Sequence, residues 1–125
     1  MRCLLDTHTI IWYFENNGRL SQNAEAIIDD PDNLIYISSV SIWEIAIKTS
    51  LKKLDISLES LLREVGQAEF TIVQLENSYM LNLLNLPHIH KDPFDRLLIA
   101  TAQTENMTLI TEDDNIHQYN IQWVW

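Results

Sequence analysis

The chain has 125 residues, of which 46% are hydrophobic and 21% are charged. This length and composition predict one globular domain, residues 1–125, and exclude a disordered chain. The net charge of −10 argues against general electrostatic binding to nucleic acid, and it equally suits a protein that binds cations or a basic partner. The single cysteine, Cys3, excludes an internal disulfide and fits a reducing compartment.

Strand-like and helical segments alternate along the chain. The predicted strands are Arg2–Asp6, Leu34–Ile37, Phe70–Val73, Thr108–Thr111 and Ile121–Trp125. The predicted helices are Thr7–Phe14, a segment capped by Ser21, Ser38–Leu54, Leu58–Gln67, Glu76–Leu86 and one starting at Pro93, with Glu112–His117 as a loop or short helix. This alternation predicts an α/β fold with a central, mainly parallel sheet of about four or five strands and helices on both faces.

Other patterns limit the location and the chemistry. No apolar run approaches the ~18 residues of a membrane span, and Asp6 interrupts the first apolar run too early for a signal peptide. We therefore expect a cytoplasmic protein that does not contact membranes. Only two glycines are present, which excludes a Walker loop and a dinucleotide fingerprint. His88 and His90 have no third ligand nearby, and we assign them to a loop.

Two predicted helices carry informative side chains. The segment Val40–Ile47 is apolar on nearly every face, so we expect it, including Trp43, to be largely buried. The later helix begins with Asp92 at the N-cap and Pro93 at the first position, a favourable start. Asp95 lies in the first turn of this helix, above an apolar stripe, and an ionised carboxylate there needs a compensating donor or cation.

Four acids are predicted to meet at one edge of the sheet. Asp6 directly follows the first strand, Asp113 follows the fourth, Glu44 lies in the helix after the second, and Asp95 starts the helix before the fourth. Sites in such sheets form beyond the carboxyl ends of the strands. Because crowded carboxylates raise one another's pKa, a divalent cation is needed, and oxygen ligands favour Mg²⁺ or Mn²⁺. Such a site suits hydrolysis of phosphate esters.

Each acid also has a simpler structural interpretation. Asp6 is a suitable N-cap for the helix from Thr7. Glu44 is four residues before Lys48, the spacing of an ion pair on a helix. Asp95 suits a capping box or the helix dipole, and Asp113 suits a turn or cap. These interpretations do not exclude a functional role, since one carboxylate serves as both cap and ligand.

Four segments together resemble PIN domains, and more narrowly the VapC-like toxins of type II toxin–antitoxin pairs. They are Leu5–His8, Ser39–Lys48, Asp92–Ala102 and Leu109–Asp113, in the expected order along the chain. The resemblance implies a three-layer α/β/α sandwich and a Mg²⁺-dependent endoribonuclease that hydrolyses RNA phosphodiester bonds. It also implies a cognate antitoxin and a homodimer.

The resemblance places the catalytic, metal-binding acids on Asp6, Glu44, Asp95 and Asp113. Because other acids flank Asp113, it leaves open whether Asp113 or Asp114 is the fourth acid.

The resemblance also gives roles to neighbouring residues. Thr7 and Thr111 are expected to hydrogen-bond the carboxylates or the substrate. Four basic residues are candidates for holding the RNA backbone, although ordinary surface pairing explains them equally well: Lys48, Lys52, Lys91 and Arg96. The alternative function is a noncatalytic PIN-fold module that binds protein or RNA.

Overall fold

The computed structural model describes residues 1–125 as five strands and seven helices. The strands are β1 (Arg2–Leu5), β2 (Leu34–Ser38), β3 (Thr71–Val73), β4 (Thr108–Ile110) and β5 (Trp123–Val124). The helices are α1 (Thr7–Phe14), α2 (Gln22–Asp29), α3 (Ser39–Ser50), α4 (Leu58–Gln67), α5 (Asn77–Leu83), α6 (Pro93–Glu105) and α7 (Asp114–His117). Each predicted strand and helix is present, and the segment Glu112–His117 contains the short helix α7.

The sheet has the strand order β3-β2-β1-β4-β5, and every pair in it is parallel. In the centre, Leu5 is in register with Ile37 on one side and with Ile110 on the other. The chain runs outward from β1 to β3 and then crosses back to build β4 and β5. The strand order therefore reverses between β1 and β4, and a crevice at their carboxyl ends is the expected ligand site of such a sheet.

Apolar cores lie on both faces of the sheet because successive strand residues point to opposite sides. Cys3 and Leu5 pack with residues of α1, α2, α3 and α4. Leu4 and Leu109 pack with residues of α6 and α7. These two cores confirm the predicted three-layer α/β/α sandwich. None of the seven helices combines the length and the apolarity needed to cross a membrane.

Two predicted helix ends were wrong. The helix α3 ends at Ser50 rather than Leu54, because Lys52 adopts a left-handed conformation with φ of 59° and the chain turns there. The helix α5 ends at Leu83 rather than Leu86. The next three amide N–H groups bond to carbonyls three residues earlier, which is a tighter turn than an α-helix.

Candidate active site

Asp6 lies at the carboxyl end of β1 and is the N-cap of α1. Its Oδ1 accepts a hydrogen bond from the backbone N–H of Thr9 at 2.8 Å, and the residue is only 5% exposed. Burial raises the pKa of the Asp6 carboxyl, and hydrogen bonds from Thr111 and Thr9 partly oppose that rise. Asp6 is thus a cap, as the simpler interpretation predicted, and also a buried acid in the crevice between β1 and β4.

Glu44 is buried on α3 and has a donor on each carboxylate oxygen. Thr7 Oγ1 donates to Glu44 Oε1 at 2.7 Å, and Lys48 Nζ donates to Oε2 at 2.7 Å. The predicted ion pair between Glu44 and Lys48 is therefore confirmed, as is a hydrogen bond from Thr7 to a carboxylate. Because Thr7 follows Asp6 directly, this contact ties α3 to the end of β1.

Asp95 is held at the start of α6 by a chain of hydrogen bonds. Its Oδ2 lies 3.2 Å from His90 Nε2, and His90 Nδ1 lies 2.8 Å from the Tyr119 hydroxyl. Tyr119 in turn accepts a hydrogen bond from Arg96 Nη1 at 3.1 Å. The Asp95 side chain is 17% exposed. Its carboxylate bonds to His90 rather than to the Asp92 backbone, so the capping-box interpretation was wrong.

The electrostatic environment of Asp95 disfavours its charged form. Burial and the nearby Asp92 carboxylate raise the pKa of Asp95 to about 7, the hydrogen bond from His90 lowers it, and Asp113 and Asp6 raise it further. Three acids thus act on Asp95 from the loop before α6, from the end of β4 and from the end of β1. Two of these acids, Asp6 and Asp113, belong to the predicted set, and the third, Asp92, does not.

Asp113 and Asp114 have different positions after β4. Asp113 caps α7 through the Asn115 N–H at 2.8 Å and, together with Asp6, lines a cleft of about 290 Å³. The side chain of Asp114 is fully exposed, and its Oδ1 lies 3.8 Å from His117 Nδ1. Asp113 is therefore the acid that faces the predicted site, while the same turn directs Asp114 to solvent.

Asp6 and Asp113 line one cleft and act electrostatically on Asp95, while Glu44 is linked to the end of β1 through Thr7, and these acids do not form a closed metal cage. No group of three or more His, Cys, Asp or Glu side chains is arranged to hold a metal ion. Mg²⁺ nevertheless needs only one or two direct carboxylates, because it retains several of its waters. Crowded, hard oxygen donors with a raised carboxyl pKa at Asp95 are a donor set of the kind that a hydrated divalent cation stabilises. The residues present therefore fit Mg²⁺ or Mn²⁺.

The basic candidates occupy different environments. Lys48 is engaged by Glu44, and Arg96 is 8% exposed and donates to the Pro87 carbonyl at 2.7 Å. Both side chains therefore have partners within the protein, which agrees with the interpretation that they pair with other protein groups rather than with RNA. Lys52 and Lys91 are exposed.

Three features of this edge escaped prediction from the sequence. His90 and Tyr119 orient Asp95, but they are far apart in sequence and no spacing marks them as partners. Trp43 was expected in the core and is 58% exposed, packing edge-on against Phe94 with ring centroids 5.2 Å apart. The cleft is also lined by Arg19, which no motif in the sequence marks as functional.

Comparison with known proteins assigns the fold to a family. The model of the PIN domain family matches residues 3–122. The chain belongs to the PIN domain family. This assignment confirms the resemblance found in the sequence, and the β1–β4 crevice is therefore the acidic edge of a PIN fold.

This PIN domain is similar to a ribonuclease in sequence and to solved toxin–antitoxin structures in fold. Ribonuclease VapC22 of Mycobacterium tuberculosis (strain ATCC 25618 / H37Rv) is 28% identical over 119 residues, which cover 93% of this chain and 90% of the relative. Among solved structures, VapBC2 from Rickettsia felis bound to a promoter DNA fragment aligns with a TM-score of 0.74, at 18% identity over 99% of this chain and 98% of the other. A toxin–antitoxin complex from Klebsiella pneumoniae aligns with a TM-score of 0.68, at 22% identity over 98% and 96%.

Proposed function

We propose that this PIN domain, residues 1–125, is a Mg²⁺-dependent endoribonuclease and the toxin of a type II toxin–antitoxin pair. The observation that carries the proposal is the cleft lined by the buried Asp6 and by Asp113 at the strand-order reversal, beside which burial and neighbouring acids raise the pKa of Asp95 to about 7. Such a cluster is unfavourable in a structural role and becomes favourable around a divalent cation. The likeness to Ribonuclease VapC22 supports RNA as the substrate.

The four acids have different proposed roles in the site. Asp6, Asp95 and Asp113 would hold Mg²⁺, or Mn²⁺ in its place, directly or through water. The chemistry that a bound metal would supply is activation of water and stabilisation of the charge that develops on the phosphate. Glu44 orients the attacking water with the lone pairs that Thr7 and Lys48 leave free.

Supporting side chains fix the carboxylates. Thr111 hydrogen-bonds Asp6, and the Tyr119–His90 pair holds the Asp95 carboxylate in one orientation. Pre-orientation of this kind lowers the reorganisation needed when substrate binds.

A cleavage assay tests the nuclease. Purified protein is incubated with single-stranded RNA in Mg²⁺, in Mn²⁺ and in EDTA. We expect cleavage in either metal and none in EDTA, and we expect Asp6→Asn to be inactive. Cleavage that persists unchanged in EDTA or in Asp6→Asn would exclude the metal mechanism. RNA binding without cleavage in any metal would favour the noncatalytic module.

The partners proposed are an antitoxin and a second copy of the chain, acting in the cytoplasm. Solved structures of the same fold include toxin–antitoxin complexes. The segment from Asn77 to His90 contains no Asp, Glu, Lys or Arg, and it exposes two large apolar side chains, Leu81 at 65% and Leu84 at 81%. An uncharged, apolar surface lets two chains of charge −10 approach with little repulsion.

Two measurements test these partners. Light scattering on the purified protein should give a dimer mass, and Leu81→Asp together with Leu84→Asp should give a monomer. If a small protein is encoded beside this gene, co-expression with it should yield a stable complex that suppresses cleavage. A monomer at all concentrations, or cleavage that the neighbouring protein does not inhibit, contradicts the respective partner.

A further inference from the structure

We infer that Arg19 binds a backbone phosphate of the RNA beside the carboxylate site, which makes it a substrate-binding residue. This inference rests on the proposed nuclease function and identifies how an acidic protein holds a polyanion there. Arg19 is the one Lys or Arg among the six residues that line the cleft containing Asp6 and Asp113. A phosphate on Arg19 therefore lies next to the acids that act on the scissile bond.

The guanidinium of Arg19 is placed by an aromatic platform. Its central carbon lies 4.7 Å from the centre of the Trp12 ring system, a cation–π contact. Trp12 is 8% exposed because it is packed between other rings, with His8 stacked at 5.5 Å and Trp125 edge-on at 5.9 Å. A buried and well-packed ring restricts where the guanidinium lies, so less conformational entropy is lost when a ligand binds.

The donors of Arg19 remain available to a ligand. Its side chain is 69% exposed, and its one ion pair, to Glu112, is at 4.0 Å, beyond hydrogen-bond distance. A guanidinium presents a planar fork of N–H donors that matches two phosphate oxygens. Of the basic residues considered earlier, Lys48 and Arg96 already donate to protein groups, so Arg19 is better placed for this role.

The charge balance of the cleft explains the need for Arg19. Asp6, Glu112 and Asp113 give this cleft a negative potential that repels RNA. A divalent cation offsets the acids that hold it, whereas a neighbouring phosphate needs a separate positive group. Arg19 packs on Trp12 and approaches Glu112 only to 4.0 Å, so it adds positive charge to the cleft without a close carboxylate partner.

The chain offers a matched control for Arg19. Arg63 lies on α4, is 60% exposed and makes a single ion pair with Glu59, also at 4.0 Å. It differs from Arg19 in lying outside the cleft. Arg19→Gln and Arg63→Gln therefore remove the same charge and the same kind of weak ion pair, one inside the proposed contact and one away from it.

Salt-dependent binding tests the inference independently of cleavage. Anisotropy of a fluorescein-labelled, single-stranded RNA of mixed sequence is measured in EDTA over a range of KCl concentrations. Losing one phosphate contact lowers the slope of log K against log salt by about 0.7. We expect this change in Arg19→Gln, with roughly tenfold weaker binding at low salt. Arg19→Lys should keep the slope and bind more weakly than the wild type, because it keeps the charge and loses the fork.

Steady-state cleavage in Mg²⁺ supplies the second measurement. Arg19→Gln should raise KM with a smaller effect on kcat, while Arg63→Gln should match the wild type in slope and in KM. Equal slopes for Arg19→Gln and Arg63→Gln overturn the inference even when the wild type cleaves RNA. Absence of cleavage by the wild type overturns the proposed function instead, and the slopes in EDTA then report on Arg19 alone.

Discussion

Glu44 on α3 and Asp95 on α6 are two acids at the same edge of the sheet, yet the chain compensates them differently. Glu44 has Lys48 and Thr7 at 2.7 Å, one donor for each oxygen. Asp95 has one imidazole at 3.2 Å, and burial together with other acids raises its pKa to about 7. The chain itself therefore supplies close donors to both oxygens of Glu44, whereas it supplies little compensation for a charged Asp95.

This difference predicts that Glu44 and Asp95 have different roles, one in stability and the other in activity. A carboxylate with its own lysine adds to stability only while both partners are present, because either one alone is a buried, unpaired charge. A carboxylate crowded by others costs stability in the free protein and favours metal binding. We therefore expect changes at Asp95 to act mainly on activity and metal binding, and changes at Lys48 to act mainly on folding.

The largest expected effect is the loss of cleavage in Asp95→Asn. The amide cannot supply the negative charge of a metal ligand, and we expect the rate to fall roughly a thousandfold or more, about 4 kcal/mol. The rate of RNA cleavage in Mg²⁺ measures it. Asp92→Asn is the matched control, because Asn remains a good N-cap for the Phe94 and Asp95 N–H groups. Comparable activity in the two variants would contradict the role of Asp95.

Mg²⁺ should stabilise the wild type more than it stabilises Asp95→Asn. A ligand that binds only the folded state adds about 2.7 kcal/mol at a hundred times its Kd. The change in Tm between EDTA and Mg²⁺, at constant ionic strength, measures this effect. In EDTA alone, Asp95→Asn should have a higher Tm than the wild type, since it lacks the crowded charge. An identical Mg²⁺ shift in both proteins would place the metal elsewhere.

Lys48→Met should destabilise the fold by about 2 kcal/mol, because it leaves the buried Glu44 carboxylate without its cation. Urea unfolding measures the loss. Lys53→Met is the control, since Lys53 is exposed just after α3, and it should change stability by less than about 0.5 kcal/mol. Adding Glu44→Gln to Lys48→Met should restore most of the loss. Equal effects of the two lysine variants would show that the pair contributes nothing.

The smallest expected effect is a pH dependence of stability in EDTA. The pKa of Asp95 is raised from 3.8 to about 7 in the folded state, so the folded protein holds a proton that the unfolded chain has released between these values. Stability from this group is complete below pH 4 and is lost as pH rises through 7.

Urea unfolding of the wild type and Asp95→Asn at several pH values isolates this contribution. The difference between the two curves removes the titrations that they share, including those of Asp6, Asp92, Asp113 and His90 around the group. Parallel curves between pH 4 and pH 7 would contradict the raised pKa.

Local sequence determined the elements and their beginnings. Ser21, Ser57 and Asp92 each cap the predicted helix, with hydrogen bonds to the N–H groups of Ala24, Ser60 and Phe94 among others. Caps and apolar periodicity are short-range properties, so they are legible in the sequence. The alternation of strands and helices likewise determined the parallel sheet and hence the edge where the acids gather.

Helix ends and exposure were less predictable. The end of α3 depends on a left-handed residue, Lys52, for which the sequence offers no glycine or asparagine signal. Trp43 lies in an apolar run but on the outer side of α3, because neighbouring layers cover only part of that helix. Periodicity identifies an apolar segment, whereas packing decides which of its faces remain exposed.

The sequence by itself determined that Glu44 could pair with Lys48, because a spacing of four residues along a helix brings the two side chains together. It also placed Asp95 in the first turn of its helix. Only the tertiary structure decided that His90 and Tyr119 orient Asp95, that Asp6 and Asp113 crowd it, and that Arg19 enters the same cleft on Trp12. Tyr119 reaches His90 across 29 residues of sequence, and Asp6 and Arg19 come close to Asp113 because β1 and β4 lie side by side.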